Sequence, residues 1–314
     1  MSQVKSSGGK GIEICLSWQN ASNGHVPPNS VSAGDSYIAR ALHNGEYIPG
    51  KLVAGESGAH ICYDGVEVMA SEYQVLVNTQ VLGDQGYQWK PCSGSNIPSG
   101  AIIGGVDGGK PLYVGRARIE GKMLAGKCLP EHGCTYIPYG CKEHSKSDSE
   151  ILCFSKRNVK SAAGKGIEIS LSWQKASNGH IPNDSVNAGN SYIARAVYNG
   201  EYIPGKIVRG ENCAYICYDG KEISCSEYEV LVDTHNFGGQ AYEWKSSRGS
   251  VIPKGSVIGG SDEGRPLYIG RARVADKLLA GKFQPEHGCT YIPYDSQENR
   301  KEDYDVLCFL KRRV

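Results

Sequence analysis

The sequence predicts an all-β fold, built as two homologous antiparallel modules of sandwich or prism type. Three features carry that prediction. Apolar and polar residues alternate at period two, as Ile12, Ile14, Leu16 and Trp18 do against Glu13, Cys15 and Ser17, the pattern of a strand buried on one face. Asn44-Gly45, Asp64-Gly65, Asn199-Gly200 and Asp219-Gly220 are dipeptides of tight hairpins, whose two central residues need positive φ. Finally, 41 Gly and 19 Tyr stand beside only 4 Phe and 3 Met, which suits many short strands joined by turns rather than a helical bundle. No window shows a convincing apolar period of 3.6 residues.

The modules follow from an internal duplication. Shifted by 155 positions, the chain overlays on itself without a gap, and over residues 8–159 against 163–314, 97 of 152 positions are identical. For 314 residues, two domains is also the expectation from length. The first module is assigned to residues 1–159 and the second to 160–314, with the join near Val159-Lys160-Ser161. Each module repeats again within itself, giving quarters at about 10–80, 81–157, 165–235 and 236–312. Every quarter has one tryptophan: Trp18, Trp89, Trp173 and Trp244. A Val/Ile-Pro pair follows (Val26-Pro27, Ile97-Pro98, Ile181-Pro182, Ile252-Pro253), then a glycine and a Tyr-Ile/Val-Ala/Gly-Arg-Ala run. Each quarter then reaches Gly-Lys, at Lys51, Lys127, Lys206 and Lys282.

Composition narrows the function. Lys plus Arg number 34 and Asp plus Glu 33, a net charge of +1, so nothing draws the chain to nucleic acid or an anionic membrane. No apolar run approaches the roughly 18 residues of a membrane span, and the polar start, Met1 to Lys10, has no apolar core of a secretory signal. Of the 12 cysteines, only Cys62/Cys217, Cys134/Cys289 and Cys153/Cys308 persist in both modules. Structural disulfides are costly to lose, so free thiols in a reducing compartment are the simpler reading. The expected location is cytoplasmic, with vesicle association or export without a signal peptide as the other routes.

Candidate chemistry is sparse. His132 with Cys134 and Cys128 suggests zinc, but Cys128 becomes Phe283 in the second module, and a turn flanked by strands is the better reading. A Cys-His nucleophile lacks any visible third partner. Ile103-Gly104-Gly105 is glycine-rich, yet a strand pattern follows where a phosphate loop needs a helix. The four arginines of the Tyr-Ile-Ala-Arg run, Arg40, Arg116, Arg195 and Arg271, are expected to fix the fold. No enzyme, metal or cofactor is expected. What remains is an acid in the loop after glycine combined with the Gly-Lys lysine: Asp35 with Lys51, Asp107 with Lys127, Asp262 with Lys282, and Asn190 with Lys206 in the third quarter. Glycine to arginine spans 6 positions in the first quarter (Gly34 to Arg40) and 11 in the second (Gly105 to Arg116). A carboxylate and an ammonium together suit the hydroxyls of an uncharged polyol. The residues by themselves favour the plainer alternative, a surface salt bridge.

This Trp…Ile-Pro…Gly…Tyr-Ile-Ala-Arg-Ala…Pro-Gly-Lys pattern resembles the DM-nine repeat family over nearly the whole chain. The family includes mannose-binding lectins of bivalves, and this chain resembles two such subunits fused. Trp18-Gln19-Asn20-Ala21-Ser22-Asn23-Gly24 is similar to the opening of one lectin repeat, and Gly126-Lys127-Cys128 and Lys142-Glu143-His144 to segments of the other. The resemblance implies a calcium-independent, mannose-type lectin acting multivalently in pattern recognition. Asp107, Lys127, Asp262 and Lys282 would be the primary sites, and Asp35, Lys51, Asn190 and Lys206 secondary ones. The implied partners are mannose-containing glycans, and the implied assembly is a homodimer or an internal pseudo-dimer. The alternative implied by other family members is an intracellular vesicle- or tegument-associated interaction or stress-response protein with weak or no sugar binding.

Overall fold

A computed structural model describes residues 11–83, 85–155, 166–237 and 240–310. The polar start and the expected join at 159–161 lie outside these. The first half contributes β1 (Ile12–Glu13), β2 (Leu16–Ser22), β3 (Tyr37–His43), β4 (Glu46–Leu52), β5 (Ala59–Tyr63), β6 (Val66–Ala70), β7 (Glu72–Asn78), β8 (Tyr87–Ser93), β9 (Ile102–Asp107), β10 (Lys110–Ile119), β11 (Lys122–Leu129), β12 (Cys134–Tyr139), β13 (Lys142–Lys146) and β14 (Asp148–Phe154). The second half repeats the set from β15 (Ile167–Glu168) to β28 (Asp303–Phe309). Two curled, almost wholly antiparallel sheets of 14 strands each result. The two 3-10 turns, Pro130–His132 and Pro285–His287, are the described helical elements.

Within the first sheet the quarters are joined back to back. The order β2-β7-β3-β4-β5-β6 of the first quarter meets β13-β12-β11-β10 of the second through the pair Val66↔Lys142. The longer loop of the second quarter is β9 and its hairpin: Asp107 pairs with Lys110 across Gly108 and Gly109, both at positive φ. The two glycines ahead of it have a packing reason. A Cβ on Gly105 would fall well inside contact distance of the Tyr47 carbonyl oxygen, and Gly260 stands the same way to Tyr202. Replacing Gly105 by Ala would force β9 off β4, an overpacking that costs about 1–3 kcal/mol; a drop in the thermal midpoint by calorimetry checks it.

The halves exchange their first strands. β1 pairs in parallel with Val257–Asp262 of the second sheet, and β15 pairs with β9 of the first. Ile14 accordingly packs in the second-half core with Trp173, and Ile169 in the first-half core with Trp18. Between them lies a symmetric seam: Trp18 N donates to Ser172 Oγ and Trp173 N to Ser17 Oγ, each at 3.0 Å.

The four repeat arginines each lie over their quarter's tryptophan, at 4.3–4.4 Å from the ring centroid. Each also donates through Nε to a side chain 34 positions on: Gln74, Glu150, Glu229 or Asp305. The tryptophan–arginine stack is the repeated structural unit of the fold. Arg40 and Arg195 are both fully buried. Burial pushes the Arg40 guanidinium down to about 9, partly offset by Tyr47 and Glu168.

Candidate functional site

The four Gly-Lys lysines are buried, not surface residues. Glycine at the preceding position lets the neighbouring strand approach closely: a Cβ on Gly126 or Gly281 would collide with the carbonyl of Tyr136 or Tyr291. Each ammonium then meets the glutamate 16 positions on. Lys51 lies 2.9 Å from Glu67, Lys127 3.4 Å from Glu143, Lys206 3.0 Å from Glu222 and Lys282 2.9 Å from Glu298. Tyrosine rings complete the cage. Lys127 Nζ is 5.6 Å from the Tyr63 centroid and 5.7 Å from Tyr136, and Lys282 Nζ is 5.1 Å from Tyr218 and 5.5 Å from Tyr291. Lys51 faces Tyr139, and Lys206 faces Tyr215 and Tyr294. Burial lowers the pKa of Lys206, with Glu222 opposing the shift.

The cages are shared between quarters. Glu143 accepts from Gly65 N at 2.8 Å and Glu67 from Cys141 N at 2.8 Å, so each carboxylate also pins the other quarter's hairpin. Glu298 and Glu222 do the same with Gly220 N and Ser296 N.

The odd and even cages differ. Lys51 and Lys206 donate additionally to the carbonyls of Pro138 and Pro293. Lys127 and Lys282 have the glutamate as an ion-pair partner only, Glu298 Oε1 itself being buried without a hydrogen bond, and no hydrogen-bond acceptor meets either ammonium among the described residues. An ammonium donates three hydrogen bonds, so the even cages retain donors. One of the two even-quarter aspartates is tied to its cage through a tyrosine. Asp262, half-buried at its hairpin, accepts from Tyr218 Oη at 3.1 Å, and the ring of that tyrosine covers Lys282. The hairpin itself is clamped: Glu201 accepts from Glu263 N and from Gly264 N at 2.9 Å, as Glu46 does from Gly108 N at 2.8 Å and Gly109 N at 3.2 Å. These backbone bonds hold the Glu201 carboxyl below its ordinary range. The second-half cage thus gathers Asp262, Tyr218, Lys282 and Glu298. In the first half, Tyr63 lies under Lys127 while its other neighbour is the His43 ring, 4.4 Å away.

Asp35 and Asn190 serve otherwise. Asp35 accepts from Met123 N at 2.7 Å, and Asn190 from Leu278 N at 2.8 Å. They pin one quarter to the next, while Lys51 and Lys206 have their own glutamates and prolyl carbonyls. The members of both secondary pairs, Asp35 with Lys51 and Asn190 with Lys206, thus have separate partners. His132 is the last residue of the Pro130–His132 turn, its ring nitrogen 2.9 Å from Tyr136 Oη, and among the described residues no group of three or more His, Cys, Asp or Glu is placed to hold a metal ion. Sequence reasoning missed the tyrosines and the glutamates. The regular interval of 16 from lysine to glutamate in all four quarters was the available signal.

A protein of repeated quarters, each contributing a caged lysine, is what the fold and site define. The DM9 repeat family model matches residues 35–108, 107–192, 190–301 and 262–313, and the chain belongs to that family. It is similar to Natterin-4 of Thalassophryne nattereri, 30% identical over 173 residues, which is 52% of this chain and 41% of that protein. It is similar also to Natterin-3 of the same fish, 27% identical over 158 residues, 48% of this chain and 40% of the relative. The matches therefore span about two fifths of the length of these relatives. Among solved structures, the nematode sperm cell motility protein MFP2B overlays on 95% of this chain and 98% of its own, at 15% identity and a TM-score of 0.38. No helix among the described residues is long and apolar enough to cross a membrane.

Proposed function

We propose that the protein is a calcium-independent, mannose-type lectin that binds glycans multivalently, without catalysis. The observation that carries this reading is the even cage. Lys282 keeps ammonium donors beyond its ion pair with Glu298, and Tyr218, whose ring faces that ammonium, carries Asp262 on its hydroxyl. Vicinal sugar hydroxyls would donate to the Asp262 carboxylate and accept from the Lys282 ammonium, and the tyrosine ring offers a face to the sugar's C–H groups. Asp107 and Lys127 would form the first-half site. Preorganisation favours binding here, because the Glu46 and Glu201 clamps fix both aspartate hairpins beforehand. Two weak sites on one rigid chain gain avidity on a glycan-dense surface. The twelve thiols, unpaired in the structure, suit a reducing compartment.

Titration calorimetry with mannose in EDTA tests this reading. The expected result is binding near two per chain. Asp107→Asn with Asp262→Asn should weaken it at least tenfold, since each hydrogen bond to a charged group is worth about 1.5–3 kcal/mol. Asparagine still accepts from Tyr218, so the thermal midpoint should hold. No heat with mannose, or an unchanged double variant, overturns the assignment.

A further inference from the structure

A cleft between the two halves holds chemistry that the lysine cages do not use. Its cavity of about 460 Å³ is lined from the first half by Asn20, Arg40, Tyr47 and Gln74, and from the second by Gln174 and the segments around Asn183 and Thr234. That size is within the range of small-ligand sites. A relay of side-chain amides runs along its wall. Arg40 Nε donates to Gln74 Oε1 at 2.8 Å, Gln74 Nε2 to Asn20 Oδ1 at 2.9 Å, and Asn20 Nδ2 to Gln174 Oε1 at 3.0 Å. The relay ends on the Gln174 amide NH2. Gln174 is only 7% exposed and lines the cavity, and no acceptor for that NH2 is recorded among the described residues. A donor so placed is open to an acceptor bound in the cavity.

The chain contains its own comparison. At the positions equivalent to Asn20 and Gln74 the second half carries Lys175 and Glu229, paired across neighbouring strands. There the arginine is met by a carboxylate: Arg195 Nε donates to Glu229 Oε2 at 2.7 Å. On the Asn20 side, both charges of that pair have become amides. The charges that line the cavity are Arg40, Asp184 and Asp233, with Asp233 held by His235, so no excess positive charge selects an anion. Amides that can both donate and accept are the partners for hydroxyl groups. The cavity also continues: a second one of about 470 Å³ shares Asn20, Tyr47 and Gln74 and ends at Leu42, which is 61% exposed. The two volumes together exceed what one sugar unit needs, with Tyr47 and Leu42 offering apolar contact.

We propose that this inter-module groove binds a neutral oligosaccharide, with the Asn20–Gln74–Gln174 amide relay as its hydrogen-bonding wall. The ligand class rests on the carbohydrate reading above; the residues are independent of it. The test is an NMR titration of the intact labelled protein with linear pentasaccharides of mannose, glucose and N-acetylglucosamine. At least one should shift the Gln174 side-chain amide and the Thr234 backbone amide. The variant Asn20→Lys with Gln74→Glu should weaken that ligand at least tenfold and keep the wild-type fold, because the second half already accommodates both residues. Unmoved Gln174 signals with all three sugars, or a double variant that binds as wild type, would overturn the proposal. Asp107→Asn with Asp262→Asn separates the two sites. It should weaken the monosaccharide response at least tenfold while the pentasaccharide still shifts Gln174, so either site can fail alone.

Discussion

Lys127→Ala combined with Lys282→Ala should abolish mannose binding and unfold the protein more readily than any surface change. Each substitution leaves a carboxylate, Glu143 or Glu298, largely buried with its cation gone. Breaking a buried pair from one side costs about 3–5 kcal/mol. Loss of binding alone would therefore say little about contact with sugar. The informative variant is Lys282→Ala with Glu298→Ala in the same chain, on a Lys127→Ala/Glu143→Ala background. Removing both charges should recover at least half of the lost stability in urea titrations, while mannose binding stays absent. A stable quadruple variant that binds mannose as wild type would remove the lysines from the site.

Arg195→Ala is expected to be the most damaging single change in the repeat framework. Glu229, also buried, would lose the guanidinium that neutralises it, again about 3–5 kcal/mol. Arg40→Ala breaks the equivalent stack over Trp18 but leaves a neutral amide at Gln74, for which a lost hydrogen bond costs about 1–3 kcal/mol. Denaturation midpoints should thus rank Arg195→Ala below Arg40→Ala. Glu229→Gln added to Arg195→Ala should close most of the gap. Equal midpoints for the two arginine variants would show that stacking on tryptophan, not charge pairing, sets the cost.

Much of this architecture was legible in the sequence, because strands and hairpins are written locally. The Asn-Gly and Asp-Gly turns, the period-two alternation over residues 12–18 and the fourfold Trp…Arg pattern all describe neighbours along the chain or within one repeat. The structural role expected for the four arginines has its physical form in the stacks on Trp18, Trp89, Trp173 and Trp244. The cages were only half legible. Their lysines stood out through Gly-Lys, but Tyr63 and Tyr218 reach Lys127 and Lys282 from the other quarter, and a pairing between quarters leaves no local spacing. Asp35 and Asn190 show the converse. They match the motif in sequence, yet the shorter loop lacks the hairpin that carries Asp107 and Asp262, and their side chains turn to backbone N–H groups instead.

The exchanged first strands impose an order on biosynthesis. Ile14 is made well before the core that receives it, which includes Leu307, near the other end of the described chain. At about 5–20 residues per second, β1 waits while nearly all the described residues after it emerge. The first-half core closes only when Ile169 arrives from the second. A ribosome stalled between the halves would therefore present an incomplete sheet with an open edge at β9, a surface that invites pairing with other chains. Duplication has here produced an obligate unit: its halves are alike enough to overlay, yet neither closes its core without the other.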